Sequence, residues 1–244
     1  MHILDYFLLF ATVILSGITF FIIPRTSDFF LKLLLSFSGA YLFAISVLHL
    51  MPGVYKGGGP GIGIWIMTGF FLQIILEYFS EGIEHGHVHV HKNDHGTFPL
   101  TMMISLSLHS FLEGVPLAGG SSGNDIHHHE HSLLYGIILH HIPVAFALVS
   151  MLNASGISRM ASIIYLTIFA LMAPMGALCG TLLQQSQTDW LHTLSQPLMA
   201  IVIGIFLHIS TTILFESGND HRFNLYKMVA IITGGLLGLS SLYL

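Results

Sequence analysis

Two short polar motifs interrupt two neighbouring apolar runs of this chain. One reads Leu108-His109-Ser110-Phe111-Leu112-Glu113-Gly114-Val115-Pro116, the other Leu139-His140-His141-Ile142-Pro143-Val144. Imidazole and carboxylate together are a natural ligand set for a divalent metal. His109 and Glu113 stand four residues apart, so on a helix they lie one above the other on the same face. His140 adds an imidazole from the next run. An ionisable side chain at the centre of a membrane span costs about 2.5–3.5 kcal/mol on insertion scales, and such residues mark function by default. A lone intramembrane histidine is often only an interhelical hydrogen-bonding residue. Two histidines and a glutamate, each beside a proline that removes a backbone donor, read better as a cation site.

The elements that must carry these residues follow from composition. The 244-residue chain is 53% hydrophobic and 8% charged, with a mean hydropathy of +0.78. Such a chain has lipid as its solvent. A net charge of -5 with only 7 Lys and Arg excludes a basic surface for nucleic acid. The single cysteine, Cys179, excludes intrachain disulfides and a thiolate cage. Apolar stretches of about 20 residues occur at Ile3–Ile23, Phe30–Met51, Gly61–Glu81, Phe98–Gly119, Ser132–Leu152, Ser158–Leu183, Leu194–Phe215 and Leu225–Leu244. They predict an all-α integral membrane protein of eight transmembrane helices, since runs of this length satisfy their backbone in hydrocarbon only as helices. Short linkers such as Gly57-Gly58-Gly59-Pro60 and Ser217-Gly218-Asn219-Asp220 leave room for one domain, residues 1–244. The first run lacks a basic leader and a small-residue cleavage site, so it reads as a retained helix rather than a signal peptide.

The basic residues set the orientation. Arg25, Lys32, Lys92, Arg159, Arg222 and Lys227 flank the connections after the first, third, fifth and seventh runs, and Lys56 alone falls on the other side. The positive-inside rule puts the first set in the cytoplasm and both termini outside. The histidine-rich segment 82–97 is then a cytoplasmic loop and 120–131 an external one.

His109-Ser-Phe-Leu-Glu113-Gly resembles the fourth-helix signature of the ZIP (Zrt-/Irt-like) divalent-metal transporters, and His140-His-Ile-Pro143 resembles their fifth-helix signature. The likeness extends along the chain, through the eight helices, the external termini, the His-rich loop after the third helix and a turn at Ala173-Pro174-Met175-Gly176. It implies a ZIP-like bundle and carries three ligands of a primary transport site onto His109, Glu113 and His140. The usual fourth ligand falls on Val144, which cannot bind metal. Positions that hold a second metal in some members read Ser110, His141, Val144 and Ala173, which implies a single-metal site completed by water or by His141. Adjacent helical residues point about 100° apart, so His141 joins only if the helix bends at Pro143.

Other polar residues have weaker claims. Gln73, Glu77 and Glu81 form one stripe along the third run, a candidate cytoplasmic exit path. His49 and His208 are candidates for pathway roles or for interhelical hydrogen bonds. His85, His87, His89 and His91 inside, and His127, His128, His129 and His131 outside, suit loose metal capture on flexible loops. The expected substrate is Zn²⁺, with Fe²⁺, Mn²⁺, Co²⁺ and Cd²⁺ as other cargo for this donor set, and no prosthetic group. The expected partners are divalent metal ions and the lipid bilayer, with room for a homodimer and none for nucleic acid. The expected setting is the plasma membrane. The resemblance implies a transporter and not an enzyme, working by alternating access. Two other readings of a buried metal site are a zinc-dependent intramembrane hydrolase and a metal sensor without flux. The hydrolase needs a general base beside the metal-bound water, and only Glu77 offers itself.

Overall fold

The computed structural model describes residues 1–22, 28–57, 59–80, 100–118, 126–185, 189–216 and 225–241, and every regular element among them is helical. In chain order these are α1 (Ile3–Ile22), α2 (Asp28–Ile45), a π turn (Ser46–Leu50), α3 (Met51–Gly57), α4 (Ile62–Ser80), α5 (Leu100–Gly114), a 3₁₀ turn (Val115–Ala118), α6 (Ile126–Ala154), α7 (Arg159–Gln185), α8 (Asp189–Glu216) and α9 (Leu225–Ser240). Among the described residues seven helical segments are long and apolar enough to cross a membrane, with α2, the π turn and α3 acting as one segment, Phe29–Gly57. The last helix, α9, is apolar but shorter, at 16 residues.

The packing is inverted relative to a water-soluble protein. Large apolar side chains face outward, among them Phe71 and Ile75 on α4, Ile164 and Leu182 on α7, and Leu236 on α9. Polar groups face inward, including Gln73, His109, Glu113, His140, His141 and Ser210. Several helix hydroxyls are satisfied within their own helix, which suits a lipid environment. Thr12 Oγ1 donates to Leu8 O at 2.7 Å, Thr68 Oγ1 to Ile64 O at 2.8 Å and Thr211 Oγ1 to Leu207 O at 2.7 Å.

The helices pack in two groups. α1, α5, α6 and α7 form one, and α2, α4, α8 and α9 the other; α2 against α6 and α4 against α5 join them. Within the first group Tyr6 on α1 bonds Thr181 on α7 at 3.1 Å, and Ser16 on α1 donates to Ile142 O on α6 at 2.5 Å. Across the groups Tyr41 on α2 donates to Ser132 O on α6 at 3.0 Å, and Ser105 on α5 to Leu76 O on α4 at 2.5 Å.

Proline and glycine explain the local irregularities. Pro52 has no N–H for the carbonyl of Leu48, and the π turn just before it changes the register, with Met51 N–H reaching Ser46 O. Between α6 and α7 Gly156 adopts φ 76°. Ile157 N–H then reaches Leu152 O at 3.0 Å and Gly156 N–H reaches Asn153 O at 3.1 Å, which closes the helix with a Schellman motif. Ser158 starts the next helix by accepting Ala161 N–H at its hydroxyl, 3.3 Å away.

Two sequence expectations differ from the structure. Ala173-Pro174-Met175-Gly176 is not a turn, since α7 runs unbroken through it. Gly176 is needed instead for close contact, because a Cβ there would stand 1.9 Å from Phe111 O on α5. Pro143 also lies within α6, which continues through it, one lost backbone bond being tolerated in a long packed helix. Residues 126–131, expected within an external loop, are the first turns of α6; no Gly or Pro falls between Ile126 and Tyr135 to stop a helix.

α4 and α8 touch backbone to backbone. A Cβ on Gly69 would stand 1.9 Å from Ile201 O, and one on Gly204 2.0 Å from Ile66 O. Gly204→Ala is therefore expected to destabilise the bundle by about 1–3 kcal/mol, the range for overpacking. Gly235→Ala, with nothing within 4 Å of the added methyl, is expected to leave stability unchanged or slightly raised. Thermal denaturation of the two variants in detergent checks this.

Candidate metal centre

The site forms between α5 and α6, with one residue from α4. On α5 the side chains of Met102, Ser105, Leu106, His109, Ser110 and Glu113 are buried, while Thr101, Ile104 and Leu108 are exposed. That is a helix with one inward stripe, and it brings His109 and Glu113 to the interior together. α6 is the most enclosed of the long helices, so the consecutive residues His140 and His141 are both buried.

Glu113 is the hub. Its Oε1 lies 3.3 Å from His109 Nε2 and 4.0 Å from His140 Nε2. Its Oε2 lies 2.6 Å from His141 Nε2. One ligand atom each from His109, Glu113 and His140 falls within 4.8 Å of the others, and all three residues are buried. A four-coordinate ion with bonds of ~2.0–2.2 Å spaces its ligand atoms about 3.3–3.6 Å apart. His109 and Glu113 already stand at that spacing, and His140 Nε2, 4.0 Å from Glu113 Oε1, lies a few tenths of an ångström beyond it on that side.

The tautomers sharpen this picture. His109 Nδ1 lies 3.1 Å from the Gln73 side-chain carbonyl on α4, which has no proton to give, so Nδ1–H is the donor. In the neutral ring Nε2 is then a bare lone pair aimed at a carboxylate oxygen, and neither His109 Nε2 nor Glu113 Oε1 has a hydrogen-bond partner. Two buried acceptors face each other at 3.3 Å. A cation between them answers both. Gln73 was read in the sequence only as part of a stripe on its own helix; its hold on His109 across two helices could not be read there, since helix–helix pairing carries no local periodicity.

The remaining candidates fall elsewhere. Glu77 on α4 and His208 on α8 pair at 2.5 Å, and the Phe70 ring meets His208 edge-on at 4.9 Å between centroids. Both are partly exposed, Glu77 by 23% and His208 by 12%, so this pair sits toward the rim of the bundle, one turn along α4 from Gln73. His49 lies in the π turn, 3.1 Å from Ser241 Oγ beyond the end of α9, and is not part of the cluster. Val144 is buried in an apolar cluster with Ala145 and Leu148, and Ala173 is buried too. Ser110 is buried, with no hydrogen bond to its hydroxyl. Glu81, His85, His87, His89 and His91 lie outside the described residues. For His127, His128, His129 and His131 the structure describes only the helical backbone.

The fold and the buried cluster define a polytopic helical membrane protein with a His/Glu centre in its interior. The chain belongs to the ZIP zinc transporter family, whose model matches residues 84–240. Among relatives, zinc transporter ZIP1 of Danio rerio is 27% identical over 156 residues, covering 63% of this chain and 50% of that protein. Zinc transporter ZIP9 of Micropogonias undulatus is 28% identical over 157 residues, covering 62% and 49%. Zinc transporter ZIP1 of Takifugu rubripes is 31% identical over 150 residues, covering 61% and 48%. The chain thus spans about half the length of the curated relatives it matches. The family match covers the segment that carries His109, Glu113 and His140.

Gln73→Leu keeps a side chain of similar size and removes the acceptor that fixes the His109 tautomer. It is expected to weaken Zn²⁺ binding roughly tenfold, the lower end of the effect of losing an outer-shell partner, with helix content unchanged. Calorimetric titration of the detergent-solubilised protein, alongside circular dichroism, checks this.

Proposed function

We propose that this protein carries a divalent transition metal, zinc foremost, across the membrane into the cytoplasm through one metal site made by His109, Glu113 and His140. The observation that supports it most is the pair of facing buried acceptors, His109 Nε2 and Glu113 Oε1, 3.3 Å apart. Two imidazoles and one carboxylate suit Zn²⁺, and Fe²⁺, Mn²⁺, Co²⁺ and Cd²⁺ are further candidates for the same donors. Val144, Ser110 and Ala173 supply no further ligand, which favours one ion and an incomplete protein shell. An incomplete shell suits transport, because a carrier must release what it binds.

The two helix groups suggest how release works. The ligands sit on α5 and α6 in one group, while Gln73 and the Glu77–His208 pair sit in the other. Movement of one group against the other would expose the site to each side in turn. Glu77 and His208 would line the cytoplasmic route, in keeping with their partial exposure. A hydrolase reading has less support: among the described residues no second carboxylate joins the cluster, and Glu77 already holds His208.

The bias of six basic residues against one puts both termini outside. That requires α9 to be an eighth span, although its 16 residues rise only about 24 Å. A short span is accommodated by local thinning of the bilayer.

Two experiments test this reading. Radiolabelled Zn²⁺ uptake into proteoliposomes is expected to fall to background for Glu113→Ala and His140→Ala, and undiminished flux in both would refute the site. Binding without uptake in the wild type would point to a sensor. Epitope tags at the two ends, probed in intact and permeabilised cells, are expected to be reached together from outside. Tags on opposite faces would reduce the count to seven spans.

A further inference from the structure

His141 stands apart from the three candidate ligands in what it touches. Its Nε2 lies 2.6 Å from Glu113 Oε2, and the residue is 1% exposed. Its other ring nitrogen, Nδ1, is buried without a hydrogen bond. An ionised carboxylate only accepts, so Nε2–H is the donor to Glu113 in a short, charge-assisted bond. The Phe169 ring on α7 backs the imidazole, with centroids 5.5 Å apart. A nitrogen that carries this proton has no lone pair to offer a metal.

The two oxygens of Glu113 are thus divided. Oε1 faces His109 and His140, at 3.3 and 4.0 Å, and Oε2 is held by His141 on the other side. We infer that His141 is a positioning residue, not a ligand, and that it holds Glu113 so that only one carboxylate oxygen is presented to the metal. The consequence is selectivity. Four-coordinate ions such as Zn²⁺ and Co²⁺ accept a one-oxygen carboxylate, whereas larger, oxygen-seeking ions gain from two-oxygen binding and higher coordination numbers. By occupying Oε2, His141 withholds that second oxygen from the larger ions. The inference rests on the metal-site reading above and adds the coordination mode of Glu113.

The test uses the purified full chain and three variants. His141→Phe keeps a ring against Phe169 and loses the donor, His141→Gln restores an N–H donor, and His141→Leu serves where the Phe variant does not accumulate. Bound Co²⁺ reports coordination number through its visible absorption, which is intense for four ligands and weak for five or six. Competition between Zn²⁺ and Mn²⁺ reports selectivity. The wild type is expected to show the intense spectrum. His141→Phe is expected to weaken that band several-fold and lower the Zn²⁺/Mn²⁺ affinity ratio about tenfold, in the range of outer-shell effects on metal sites. His141→Gln is expected to recover most of both. A wild-type spectrum and ratio in His141→Phe would overturn the inference while leaving the site intact. So would equal weakening for every metal that His141→Gln fails to rescue, the behaviour of a lost ligand. A folded wild type that binds no Co²⁺ would overturn the site reading and this inference together.

Discussion

Glu113 is a fully buried carboxylate inside a bundle whose outer surface is apolar. A charge in such a place is tolerated only with partners on every side, and the organisation of the interior follows from that need. His141 bonds one of its oxygens, Oε2, while the other, Oε1, faces His109 and His140 without a hydrogen bond and leaves a place for a cation. His109 is in turn oriented by Gln73. Three helices converge on one carboxylate. The inward stripe of α5, the enclosure of α6 and the contact of α4 with α5 are conditions for burying it.

The same contacts define a seam. Gln73 and the carbonyl of Leu76 belong to α4, while His109 and Ser105 belong to α5. These two hydrogen bonds, one helical turn apart, link the two helix groups at the depth of the cluster. Within each group the glycine contacts bring backbones together, as at Gly69 and Gly204 or Gly114 and Gly176, where an added Cβ would lie within 2.1 Å of a carbonyl oxygen. Contacts of that kind leave little room for sliding. Side-chain hydrogen bonds across the seam, by contrast, can be exchanged for others. The backbone-to-backbone contacts at these glycines thus lie inside the groups, and the Gln73–His109 and Ser105–Leu76 hydrogen bonds lie between them.

The parts legible in the sequence were those governed by local periodicity. His109 and Glu113 at four-residue spacing predicted a shared face, and the shared face is there. The apolar runs predicted the helices, although α9 ends short of a full span. What could not be read was the effect of neighbours. Adjacent residues pointing about 100° apart argued against a common role for His140 and His141, but α6 is enclosed on several sides and both histidines reach Glu113. α6 continues through Pro143. Gly176 resembled a turn residue because its signal, a glycine beside a proline, is the same for a turn and for a close helix crossing. Only the approach of Phe111 O distinguishes them.

The asymmetry of the two motifs now has a physical form. On α5 both polar residues point at the same place, and they stand at metal-ligand spacing before any ion is considered. On α6 the chain offers His140 toward Oε1, His141 toward Oε2, and Val144 buried among apolar side chains. The loss of a ligand at 144 and the use of 141 to hold the carboxylate act in the same direction, since each lowers the number of donor atoms facing the ion. A buried carboxylate with a bare imidazole opposite it still requires a positive charge. On the proposed reading, a site that requires a cation yet surrounds it with few protein donors would hold the ion strongly enough to select it and loosely enough to exchange it, the balance that carriage across a membrane demands.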